Sequence, residues 1–290
     1  MTAILVKHFE SAGLQLTYRE YGQKGAPLVI VHHGFLDCAA AWDDVVSSWS
    51  EQFHIAAIDA RGHGDSEWVG TGGAYWFPDY VLDLSALMEH LGTSKDHPCA
   101  LVGHSMGGAV CSYTAGTYPD QVKAIALIEG LGPPKYPWSH APIHMRQFVE
   151  STRKRQAQRE PEVMEGVEAA ANRLRQYDRL LTPDQAQRHA HIATRPVKGG
   201  CVWKWDPLHR ARMGTMYVEE IAIALLSQIT SPALLITGSE SPFRQIDASA
   251  RRNALKNAQD ITIDAAGHNL HRHQPEVLSD TLRDFLAETM

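Results

Sequence analysis

Residues 100–110 read ALVGHSMGGAV and hold one serine, Ser105, between Gly103 and Gly107 at the end of a short apolar run. A serine hydroxyl is a weak nucleophile, so it needs a histidine to take its proton and a carboxylate to hold that histidine. The G-x-S-x-G spacing serves this chemistry when a strand precedes it and a helix follows. The serine then sits on a sharp turn that only small neighbours fit, and the helix aims its N-terminal amides at the place where negative charge develops. Both flanks are present, because CALVG has strand character and MGGAVCSYTAGTY has helical character. Ser105 therefore reads as a nucleophile.

An oxyanion needs two N–H donors aimed at one point. Met106, directly after Ser105, supplies one. The second belongs on the loop after a neighbouring strand, and PLVIVHHGF (27–35) makes the Phe35 N–H the candidate. The base has to be chosen among 16 histidines. His268 follows the strand-like DITID through Ala265, Ala266 and Gly267, on a loop at the carboxyl-end edge of the sheet, where ligands of such folds bind. From there it can accept the serine proton and return it to a leaving group. His271 and His273 lie close by in sequence and offer no comparable glycine-led turn.

These groups need a scaffold, and the chain supplies its pattern. ILVKHFES and LQLTYREYG read as a hairpin. After them PLVIVHHG, HIAAIDARGHG, CALVG and VKAIALI alternate with helix-spaced segments such as AWDDVVSSWS and YVLDLSALMEHL. Near-continuous apolar strands separated by helices predict an α/β fold with a mostly parallel central sheet covered on both faces. The pattern breaks at Gly130, where GLGPPKYPWSHAP (130–142) carries four prolines that cannot continue a strand or helix interior. A polar, helix-rich stretch without strand alternation runs to about residue 226. Strand signals then resume with ALLITG (233–238) and DITIDAAGH (260–268), followed by a helix over 275–288. The expected organisation is a core of 1–130 and 227–290, interrupted after the sixth strand by a helical insertion over 131–226.

The bulk numbers restrict the function classes. At 290 residues with 44% hydrophobic and 21% charged side chains, the chain can bury a sizeable core. Twenty-seven Lys plus Arg against 33 Asp plus Glu leave a formal charge of −6, which argues against a nucleic-acid or anionic-membrane binder. The basic run over 153–159 (RKRQAQR) reads as a solvated helix face. Four scattered cysteines without metal-finger spacing, and an N-terminus MTAILVKHFE without a signal-peptide core, read as a reduced, cytoplasmic protein. No apolar run approaches the roughly 20 residues that span a bilayer. VGTGGAYW (69–76) lacks GK[ST] and reads as a mobile loop at a site mouth, so no phosphate cradle, cofactor or metal is expected.

HHGF, DARGHGDS (59–66), GHSMGG and AAGHN (265–269), in this order, resemble the α/β-hydrolase superfamily with a helical cap. The resemblance implies the α/β-hydrolase fold, an esterase-like activity without cofactor, and a structural turn at Asp59, Arg61, Gly62 and Ser66, with His63 structural as well. It also implies a cap whose Asp206 and Arg210, in WKWDPLHR (203–210), act as scaffold. The family's acid is usually an aspartate three residues after the glycine of the strand that follows the cap, and here that position is Ser241. Two carboxylates can substitute. Glu240 lies one residue early, and Glu129 ends the strand VKAIALI, where some relatives carry their acid and where an unpaired buried carboxylate would be costly. Glu129 is preferred and Glu240 stays open.

The cap is expected to choose the substrate, with Trp138, Trp203, Trp205, Met213 and Met216 as candidate contacts. The leading function is hydrolysis of a carboxylic ester or related acyl bond through an acyl-enzyme on Ser105, with a small apolar acyl ester as substrate. Carbon–carbon bond hydrolysis and perhydrolysis use the same groups. A hydrolase-like receptor that binds without turnover is the alternative from another class. A serine nucleophile argues against the haloalkane dehalogenases and epoxide hydrolases of the superfamily, which use aspartate. Oligomeric state is left open.

Overall fold

A computed structural model of the protein describes residues 4–70 and 72–290. The strands are β1 (Leu5–Ser11), β2 (Leu14–Tyr21), β3 (Leu28–His32), β4 (His54–Asp59), β5 (Cys99–His104), β6 (Val122–Ile128), β7 (Thr194–Val197), β8 (Gly200–Trp203), β9 (Ala233–Gly238) and β10 (Ala258–Ile263). Eight form one sheet in the order β1-β2-β4-β3-β5-β6-β9-β10. The β1–β2 hairpin joins β4 antiparallel, and every pair from β4 to β10 is parallel. The fold is the α/β-hydrolase fold that the motifs implied.

The helices are α1 (Asp43–Val46), α2 (Phe77–His90), α3 (Met106–Thr117), α4 (Ala141–Ala157), α5 (Val167–Tyr177), α6 (Pro183–Ala193), α7 (Glu219–Leu226), α8 (Ser249–Ala254), α9 (Leu270–His273) and α10 (Pro275–Thr289). Alternation along the strands divides the core in two. Val29 and Val31 join Trp42, Trp49, Leu278 and Leu282 on one face, whereas Ile30 joins Leu84, Leu87 and Val110 on the other. All residues of β4 and β5 are buried, which explains their unbroken apolar character. Burying such side chains contributes about 1.5–3 kcal/mol each, so the sheet is a rigid base for whatever its carboxyl edge carries.

Between β6 and β9 the chain builds α4, α5, α6 and α7, with a small core of its own around Met164, Ala170, Leu181, Ala186 and Cys201. Two details depart from the sequence reading. A two-stranded ribbon, β7–β8, stands where no strand was expected. Its four-residue strands are too short to show alternation, and its tight link rests on the positive φ of Gly199 (+90°). In addition, α7 packs on α3 and sends Leu226 into the second core, although it falls within the expected insertion. The four cysteines are free and buried. Among the described residues no helix is long and apolar enough to cross a membrane.

Candidate active site

Ser105 sits between β5 and α3 with φ +52° and ψ −115°. A non-glycine residue at positive φ costs on the order of 1–3 kcal/mol and persists only where its surroundings over-determine it. Here the Ser105 N–H donates to Ile128 O at 2.9 Å, and α3 approaches the sheet too closely for side chains. A Cβ on Gly107 would lie 2.3 Å from His32 O, and one on Gly103 would lie 2.5 Å from Gly107 O. These two glycines let the helix start directly behind the serine.

Glu129 follows β6 and also has φ +52°. Its N–H donates to Ile236 O at 2.9 Å, which pins the residue against β9. The side chain is 3% exposed. Its carboxylate accepts from the Gly238 N–H (2.9 Å at Oε1) and the Ser241 hydroxyl (2.8 Å at Oε2). His268 reaches in from the loop after β10. Its Nδ1 lies 3.5 Å from Glu129 Oε2, within ion-pair range but longer than a full hydrogen bond, and its Nε2 lies 2.9 Å from Ser105 Oγ. Such contacts tighten when substrate fills a site. Glu240 is exposed and contributes its N–H to Ala266 O. The structure thus brings Ser105, His268 and Glu129 together and leaves the Glu240 carboxylate outside. Ser241, the position where an aspartate was sought, instead holds the glutamate that arrives from the other strand.

The three residues open onto a cavity of about 630 Å³ lined by Phe35, Tyr75, Leu131, Leu208, Met213 and Phe243, among other apolar groups. Phe243 lies with its ring 4.4 Å from that of His268, a contact sequence reasoning missed. Of the five aromatic and methionine candidates, only Met213 lines this cavity. Trp138 is 58% exposed in a short turn before α4, and Met216 is half-buried elsewhere. Trp203 and Trp205 stack on each other at 6.2 Å and border a separate hollow of about 60 Å³, with the Arg210 guanidinium over Trp205. Their mutual stacking satisfies them away from Ser105. Phe35 and Met106 flank the serine, and a Cβ built on Gly34 would lie 3.3 Å from Ser105 Cβ.

The turn after β4 is scaffold. Asp59 accepts from Ala39 N (2.7 Å) and Asp65 N (3.0 Å), Ser66 Oγ donates to Asp59 O (2.6 Å), and Arg61 forks onto Asp83 with both bonds at 2.6 Å. Asp206 docks the insertion on this turn through its N–H to Gly62 O (2.8 Å), while its buried carboxylate accepts from Tyr75 and Arg159. Arg159 therefore leaves the solvated face expected of the basic run: α4 ends at Ala157, and the buried carboxylate draws the guanidinium inward. Arg159 also binds the carbonyls of Val69 and Gly70. The loop read as mobile is tied down at 69–70 and at Tyr75, while residue 71 lies outside the described residues.

Burial keeps several histidines near the site neutral. It lowers His32 and His209 to about 3, and it puts His63 and His104 well below the usual range, neighbouring histidines adding to the effect in His63 and His104. Asp37, His104 and His271 place three donor atoms within 4.8 Å of one another. The Arg272 guanidinium already lies 2.7 Å from Asp37, supplying the positive charge that a metal would bring, so this donor set does not fit a cation.

Residues 27–272 match the family described as the alpha/beta hydrolase fold. The chain belongs to this family. It is 23% identical over 293 residues to epoxide hydrolase 4 of Mus musculus, covering 96% of this chain and 78% of that protein. To a serine hydrolase-like protein of Danio rerio it is 25% identical over 289 residues, covering 94% and 85%. A hypothetical protein of Pseudomonas aeruginosa PAO1 superposes with a TM-score of 0.85 at 23% identity, covering 97% of this chain and 99% of the other, which speaks to the fold. As a member of this α/β-hydrolase family, the chain has hydrolases among its relatives.

Proposed function

We propose that this α/β-hydrolase family member is a cofactor-free serine hydrolase acting on a carboxylic ester or related acyl bond. The observation that carries the reading is the continuous Glu129–His268–Ser105 contact chain at the floor of an apolar cavity. Ser105 Oγ attacks the acyl carbonyl while His268 Nε2 takes its proton, and Glu129 stabilises the imidazolium. The developing oxyanion is met by the N–H groups of Met106, which starts α3, and of Phe35, whose N–H finds no backbone acceptor among the described residues. His268 then gives the proton to the departing alcohol, and water repeats the sequence to release the acid. The segment 131–226 serves as a cap, with Leu208 and Met213 contributing to the cavity lining. The apolar wall suits an apolar acyl group.

A fluorophosphonate probe tests the reading directly. Native protein should be labelled and Ser105→Ala should not. A native protein that neither takes up the probe nor hydrolyses a panel of short- and long-chain aryl esters would point to the non-catalytic receptor instead. The epoxide hydrolase among the relatives does not extend to this chain, because the nucleophile position holds serine.

A further inference from the structure

His268 must be held as well as supplied, because a base displaced by about 1 Å can lose two orders of magnitude in rate. The backbone around it is gripped on three sides. The His268 carbonyl accepts from His104 Nε2 at 2.8 Å. Gly267, the residue before, donates its N–H to His273 Nδ1 at 3.2 Å. Asn269, the residue after, donates Nδ2 to Asp178 Oδ2 at 2.7 Å. His273 Nε2 lies 3.0 Å from both oxygens of the same Asp178.

We propose that Asp178 is a positioning residue for His268, acting from the cap through His273 and Asn269; this rests on the serine-hydrolase reading above. Asp178 lies between α5 and α6, far from His268 in sequence, and none of Asp178, Asn269 and His273 lines the cavity. Because His273 Nδ1 accepts an N–H, the neutral ring carries its proton on Nε2 and donates it to the carboxylate. The tautomer is therefore set by its two partners. Asp178, His273 and the Gly267 N–H form a second acid–imidazole pair beside the first, directed at a backbone amide instead of a hydroxyl.

The placement of the carboxylate supports a role beyond filling space. Asp178 closes the C-terminal end of α5, its N–H donating to Leu174 O at 2.8 Å, and the helix dipole disfavours a negative charge there. The charge is kept nonetheless. Burial acts to raise the Asp178 pKa, but the bonds from His273 and Asn269 and the nearby Arg272 outweigh it and hold the carboxyl below its usual range. Leu180 adds an apolar hold, since a Cβ on Gly267 would lie 2.8 Å from its Cδ1. The cap thereby touches the base-bearing loop on both sides of His268, and alignment of the base depends on the cap being seated.

The test compares Asp178→Ala and Asp178→Asn with native protein on a small aryl ester, following kcat, KM, fluorophosphonate labelling rate and Tm. Asp178→Ala is expected to lower kcat and the labelling rate together by about 10–100-fold, with KM within about 3-fold, because the lost interaction acts on the base and not on substrate. Asp178→Asn keeps an acceptor for Asn269 and should fall between. If Asp178→Ala is poorly folded, Asn269→Ala, which removes a single bond, should still lower kcat by about 3–10-fold. A clamp that merely holds the cap gives the opposite division, a raised KM and lower Tm with kcat and labelling rate unchanged, and that result overturns the proposal. A native protein inert to both probe and ester overturns the hydrolase reading itself and this inference with it.

Discussion

Replacing Glu129 by glutamine separates the two carboxylates that could hold the base. The substitution keeps the shape of a side chain that is 3% exposed and retains an acceptor for the Gly238 N–H, but it removes the charge facing His268 Nδ1 at 3.5 Å. At that distance an ion pair is worth roughly 5 kcal/mol with an effective dielectric near 20. His268 is 23% exposed, so solvent and the residual amide dipole recover about half of this, leaving a loss of about 2.5 kcal/mol, or roughly 70-fold in kcat. Substrate binding does not use this charge, so KM should change by less than about 3-fold. Glu240→Gln should stay within about 2-fold of native, because its carboxylate is exposed and touches neither His268 nor Ser105. Initial rates on a small aryl ester across a substrate range provide both constants. A Glu129→Gln protein with near-native kcat, alongside a Glu240→Gln protein that collapses, would refute the assignment.

Four further outcomes follow from the same contacts. Ser241→Ala removes one of two hydrogen bonds that orient the Glu129 carboxylate, and steady-state assays should show kcat lowered about 5–10-fold. Gly107→Ala drives a methyl into two backbone carbonyls, so thermal melts should show a loss of about 3 kcal/mol, or roughly 6–12 °C in Tm. Phe243→Ala or Met213→Ala should raise KM for medium-chain acyl esters about 5-fold, whereas Trp138→Ala and Trp205→Ala, which sit outside the cavity, should alter it less than about 2-fold. The fourth concerns pH. Burial acts to raise the Asp37 pKa, but Arg272 and His271 outweigh it and hold the carboxyl well below the usual range. Its stabilisation is complete above about pH 4 and is lost as pH falls from there toward the folded value. Melts of Asp37→Asn should show a lower Tm than native protein near neutral pH and a shallower fall in acid.

Local signals account for what could be read in advance. G-x-S-x-G between a strand and a helix made the turn at Ser105 legible, because the turn and the close helix approach depend largely on residues within a few positions of it. His268 was legible for a similar reason, through a short glycine-led turn after an apolar strand. Glu129 was favoured because a carboxylate after a buried strand needs a partner. Ser241 was recognised only as a missing acid; its hydroxyl bond to Glu129 joins two strands' ends far apart in the chain. The cap candidates were chosen by residue type, and type does not say which way a tryptophan faces.

The sequence by itself determined the α/β scaffold, the interruption after the sixth strand, and the turn and loop that carry Ser105 and His268, since strand burial, helix period and turn chemistry act over short distances. Only the tertiary structure decided which carboxylate faces His268, that Arg159 turns inward to Asp206, and that Asp178 bonds both Asn269 and the His273 that holds the Gly267 N–H. Those outcomes depend on the packing of one segment against another. A buried charge settles where its partners converge in space, and that convergence has no signature in the spacing of residues along the chain.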